Sequence, residues 1–90
     1  MYDIQPYSFK KAKELGYTIY PSHKENKKID VFKKNKYLFS IGATGYSDFP
    51  TYEKEKGLKY ALERRRLYHI RHSKDNIKGT KGYASLHILW

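Results

Sequence analysis

An α+β fold is what this sequence predicts: a short helix, a three-stranded antiparallel meander, a long basic helix and a short C-terminal helix. Three observations lead there. Phe9, Ala12 and Leu15 recur at helical spacing ahead of Gly16, which suits a left-handed helix exit. Two alternating stretches, 29–33 and 37–41, flank Lys34, Asn35 and Lys36 and read as a hairpin. The stretch 50–72 carries Glu53 and Glu55 early and its arginines and histidines late, the charge order that a helix dipole favours.

Taken in order, residues 1–7 are polar, interrupted by Pro6, and read as an N-terminal arm. Ser8 is placed to cap a helix over 8–15, with Lys10, Lys11 and Lys13 on its outer side. Residues 17–20 form a short β-rich piece stopped by Pro21 and Ser22. PSHKENKK supports neither helix nor strand and reads as a cationic loop. In the hairpin, Ile29 and Val31 alternate with Asp30 and Phe32, while Tyr37, Phe39 and Ile41 alternate with Leu38 and Ser40. GATGYSDF is turn chemistry, and Asp48 can accept from the free amides of a helix that starts near Pro50.

That helix is the element around which the chain is expected to be organised. Tyr60, Leu67 and Ile70 fall on one side and Leu58, Ala61 and Leu62 on another. It therefore touches two flanks: the sheet and the C-terminal segment, or the sheet and a second copy of the chain. Gly57 inside it marks a bend or a close approach. Residues 73–82 form a second polar loop, and 83–90, with Leu86, Ile88, Leu89 and Trp90, read as a short final helix folded on the core, with a strand as the alternative.

Composition narrows the function. Ninety residues make one small basic domain, 1–90, near the low end of sizes that bury a self-sufficient core. Ten tyrosines imply an aromatic core whose hydroxyls reach its edges. Cysteine is absent, which excludes disulfides, thiolate zinc sites and cysteine nucleophiles. No apolar run has the length of a membrane span and MYDIQPYSFKK lacks a signal-peptide core, so a soluble intracellular protein without a membrane partner is expected. A formal net charge of +10 draws a domain of this size to phosphate polymers. Most of the cations are lysines, which suit backbone contact better than bidentate base reading.

No residue pattern identifies a reaction. Glu53 and Glu55 project from different helix faces, no strand ends in an acid-x-lysine pattern, and the glycines of GATGYSDFP lack the spacing and lysine of a P-loop. His69 and His72 share a helical face but have no thiol and no near carboxylate to complete a metal site. A non-enzymatic protein with no cofactor, no metal and no small-molecule substrate is the expectation. Its partner is DNA or RNA, held through the phosphate backbone with little sequence preference. The charge is assigned to Lys24, Lys27, Lys28, Lys59, Arg64, Arg65, Arg66, Arg71, Lys74, Lys78 and Lys81. The alternative is a structural or protein-interaction component, such as a homodimeric module, with a basic solubilising surface.

Two resemblances bear on this reading. The order helix, three antiparallel strands, long helix resembles the double-stranded-RNA-binding domain in outline, with PSHKENKK at its RNA-contacting loop. It departs from that family where PTYEKEKG puts Glu53 and Glu55 at the last helix start, a place the family fills with lysines. The segments KKIDVFKKNK, SIGATGYSDFPTYEKEKG, YALERRRLYHIRH and GYASLHILW are similar to a family of small proteins encoded by large DNA viruses of algae and protists, the chlorella-virus and mimivirus group. Gly42, Tyr46, Asp48, Pro50, Thr51, Tyr52, Arg64, Arg65, Tyr68, Arg71, His72 and Trp90 carry that likeness over most of residues 8–90. The resemblance implies a viral source and a virion- or genome-associated protein in host cytoplasm or nucleus, and it supplies no catalytic residue.

Overall fold

Ile19, Ile29, Val31 and Ile41 sit in register across three neighbouring strands and form the wall on which the rest of the chain packs. The computed structural model describes residues 2–90. The strands are β1 (Thr18–Pro21), β2 (Lys27–Lys33) and β3 (Lys36–Ala43), antiparallel in the order β1-β2-β3. The expected meander is present. Its tight turn is Lys34-Asn35, both left-handed at φ 52° and 65°, so Lys36 belongs to the strand and pairs with Lys33. Val31 pairs with Phe39 but Phe32 with Tyr37, a bulge that leaves Leu38 between them and exposed.

Helices α1 (Pro6–Leu15) and α4 (Lys81–Ile88) complete the core, where Ile4, Ala12, Ala84, Ile88 and Leu89 meet the sheet isoleucines. Three expectations change here. The arm of residues 1–7 is not a loose extension, although its Met1 lies outside the described residues: Ile4 is buried in the core and Pro6 opens α1. Ser8 is not the cap, because the helix opens at Pro6 with Gln5 in the cap position and Ser8 lies inside its first turn, its amide donating to the Gln5 carbonyl at 3.0 Å. Its hydroxyl instead donates to the Ile88 carbonyl at 2.8 Å, and with this buried serine facing inward Phe9 is left 49% exposed.

The long helix is two. Helix α2 (Phe49–Lys56) and helix α3 (Leu58–Arg71) are separated by Gly57 at φ 93°, ψ 164°, backbone that side-chain-bearing residues do not adopt. The Gly57 amide closes α2 on the Glu53 carbonyl, and the Gly57 carbonyl accepts the first α3 bond from Ala61. As expected, Asp48 caps α2, accepting from the Thr51 amide at 3.0 Å. Helix α3 is not the organising element: Ala61 is its one fully buried residue, and it lies on the outside of the sheet, α1 and α4. A 3-10 turn (Ser73–Asp75) and a loop lead to α4, which Thr80 caps through the Tyr83 amide. The expected final helix is thus present and starts two residues early.

Candidate functional site

A cleft of about 410 Å³ opens between the β2–β3 end of the sheet and the helices α3 and α4. Two close approaches shape it. Gly42, at φ 80°, has no room for a side chain, since a Cβ there would lie 2.7 Å from Leu89 and 3.0 Å from Lys28. Gly82 lets the first turn of α4 lie against the 3-10 turn, where a Cβ would meet that of Asp75 at 2.8 Å.

The aromatic wall is a column. Tyr68 stacks on Trp90 at 4.3 Å and 7°, and on His72 at 4.1 Å and 23°. Two rings stacked that closely occupy opposite faces of Tyr68, so the ring left to face solvent is His72, whose side chain is 40% exposed. Its Nδ1 lies 2.9 Å from Asp75 Oδ2, which fixes the imidazole orientation. Ser47 and Ser85 add hydroxyls.

The lining is also cationic. Lys27 comes from the start of β2 and Lys81 from the first residue of α4, while Lys24 stands beside them on the β1–β2 loop, over the Tyr37 ring at 6.0 Å. Among the described residues none of these three forms an ion pair with a carboxylate. Loss of hydration, then the charges of Lys27 and Lys24, push the Lys81 ammonium below the usual lysine range. Three uncompensated ammonium groups held together in this way are poised to accept an anion.

The other candidates distribute differently. Lys28 departs most from expectation: it is buried, and its ammonium donates to the Tyr46 carbonyl and, at 2.9 Å, to Asp48 Oδ2. It neutralises a carboxylate inside the fold and is not available to phosphate. Arg64 lies over Tyr52 at 5.7 Å with its Nε enclosed, and Arg65 lies over Phe49 at 5.0 Å. Arg66 pairs with Glu63 at 2.7 Å on the outer face of α3. Lys59, Arg71 and Lys74 are exposed, and Lys78 lines a separate groove with Glu14 and Lys33. Thus three of the expected residues, Lys24, Lys27 and Lys81, converge.

Comparison with protein-family models, curated proteins and solved structures finds no match.

A second, smaller depression of about 230 Å³ gathers Lys11, Arg65, His69 and His87 beside Tyr7 and Trp90. Burial, then the charges of Lys11 and His69, pushes the His87 imidazole below its usual range. Sequence reasoning missed the role of Asp30. This buried carboxylate accepts from Ser22 and Ser40 at 2.6 Å each and from the His23 amide at 3.1 Å, with the His23 ring also bonded to it. An acid inside a β-branched run was the available signal, but alternation alone placed it outward. Among the described residues no group of three or more potential ligands is arranged to hold a metal ion.

Proposed function

We propose that the protein is a non-enzymatic nucleic-acid-binding module that contacts the phosphate backbone of DNA or RNA with little sequence preference. Lys27 and Lys81 on the lining of one cleft, with Lys24 in the adjoining depression close enough to act on the Lys81 charge, carry this reading. It is supported by the wider balance of charge: among the described residues, which hold all 19 lysines and arginines, Lys11, Lys28, Lys54 and Arg66 are the ones that meet a carboxylate. Exposed Lys59, Arg71, Lys74 and Lys78 extend the cationic surface beyond the cleft. Point-like ammonium groups hold phosphate without reading bases, which fits weak sequence preference. On the viral source expected from the sequence, the proposed setting is association with a packaged genome.

The test is a titration of DNA and RNA, single-stranded and duplex, at several salt concentrations. If the protein neutralises three to five phosphates, the log–log plot of affinity against salt has a slope of about −3 to −4.5 on duplex DNA. No retention at low salt, or a flat plot, sinks the reading.

A second reading has its own observation. Leu58 and Leu62, one turn apart on α3, are 53% and 46% exposed, and Ile70 on another side of the helix is 61% exposed, apolar surface suited to a second copy of the chain or to another protein. Sedimentation separates the two: a dimer that ignores nucleic acid favours the structural role.

A further inference from the structure

The cleft holds more than a phosphate would need. Its volume, about 410 Å³, falls in the range of small-ligand sites. Its lining is chemically mixed: Lys27 and Lys81 supply cations, and His72 with Tyr68 behind it and Trp90 on the far face of Tyr68 supplies a stacked aromatic column. Asp75 is the single carboxylate of the lining, and it is bonded to His72. A phosphate is repelled by that carboxylate and drawn to the lysines. A planar, hydrogen-bonding group is matched to the column, because the outer face of His72 offers a stacking surface and Asp75 accepts from amino or hydroxyl groups.

We propose that this cleft binds one nucleotide unit, its phosphate between Lys27 and Lys81 with Lys24 at the rim, and its base against His72 with Asp75 accepting a base amino group or sugar hydroxyl. The inference deepens the nucleic-acid reading and rests on it. The same chemistry is presented by a free nucleotide and by the unpaired end of a strand. Anion entry also removes the mutual repulsion of the three lysines, so the empty site is strained electrostatically and the filled one is not.

Trp90 is the only tryptophan in the chain and forms part of the floor, so its emission reports occupancy directly. The full chain is titrated with adenosine monophosphate, with inorganic phosphate and with a short single-stranded oligonucleotide. The expected result is a saturable change with the monophosphate, weakened at least about tenfold in the double variant Lys27→Ala, Lys81→Ala and unaltered in Lys10→Ala. Without ligand the double variant should unfold at the same temperature as the parent or higher, because a repulsion has been removed. Competition between oligonucleotide and monophosphate identifies a strand end as the source; independent binding identifies a free nucleotide.

The inference is overturned if the monophosphate gives no saturable change, or if parent and double variant respond alike. When an oligonucleotide still binds in those cases, only the cleft assignment fails. When the monophosphate binds and no polynucleotide is retained at low salt, the broader function fails and the site remains.

Discussion

Asp48 takes three donors at once: the Lys28 ammonium at 2.9 Å, the Tyr2 hydroxyl at 2.7 Å and the Thr51 amide at 3.0 Å. Burial, then the hydrogen bond to Asp48 and its charge, pushes the Tyr2 phenol well above its usual range, so it remains a donor at any physiological pH. Truncating Lys28 to alanine leaves that carboxylate buried and uncompensated, and should cost about 3–5 kcal/mol in denaturant unfolding. Intact stability in this variant would contradict an internal role. Asp30 makes a separate prediction. Burial works against its ionisation, but the hydrogen bonds from Ser22, Ser40 and His23 outweigh it and hold the carboxyl well below the usual range. A depressed folded value means that its contribution is complete above the unfolded value of about 4 and disappears as pH falls below it. Asp30→Asn should lose about 1–3 kcal/mol at neutral pH, and its urea midpoint should fall less steeply than the parent's on acidification. An unchanged acid limb would rule this out. Both roles were invisible in the sequence, since Lys28 reads as one lysine among many in a polar loop, and Asp30 as the outward partner in an alternating strand.

Helices α2 and α3 read as one in the sequence because their charges run in a single order from Glu53 to His72, and a lone glycine inside a helical pattern has two meanings. Geometry decides between them. At φ 93° and ψ 164° Gly57 ends one helix and begins the next, and a Cβ there would meet nothing within 4 Å. The cost of Gly57→Ala is thus purely conformational, about 1–3 kcal/mol, readable as a lower thermal midpoint. A neutral or stabilising substitution would mean that the two helices can fuse. The hairpin was legible because alternation and the Lys34-Asn35 turn agree. The face of α1 was not: apolar spacing favoured Phe9, whereas the Ile88 carbonyl needs the donor that Ser8 supplies.

For the molecule as a whole, +10 charges on a body with a 12.4 Å radius of gyration repel one another across its full width at low salt. Raising the ionic strength from about 0.01 M to about 1 M shortens the Debye length from roughly 30 Å to roughly 3 Å, so the denaturation midpoint should rise with sodium chloride. A midpoint that falls or stays level would show that internal pairing, and not repulsion, dominates. The basic balance was readable from composition, but the gathering of Lys24, Lys27 and Lys81 was not, because it depends on where α4 docks. That docking ties distant parts of the sequence together. Ser8 bonds to the Ile88 carbonyl, the Tyr7 hydroxyl donates to the Trp90 carbonyl at 3.1 Å, and the Phe49 amide donates to the Leu89 carbonyl at 2.9 Å. Without residues 81–90, α1 and the sheet lack their covering layer and the core isoleucines lie open, so folding closes through contacts of long sequence separation and is slowed by the loop entropy they cost.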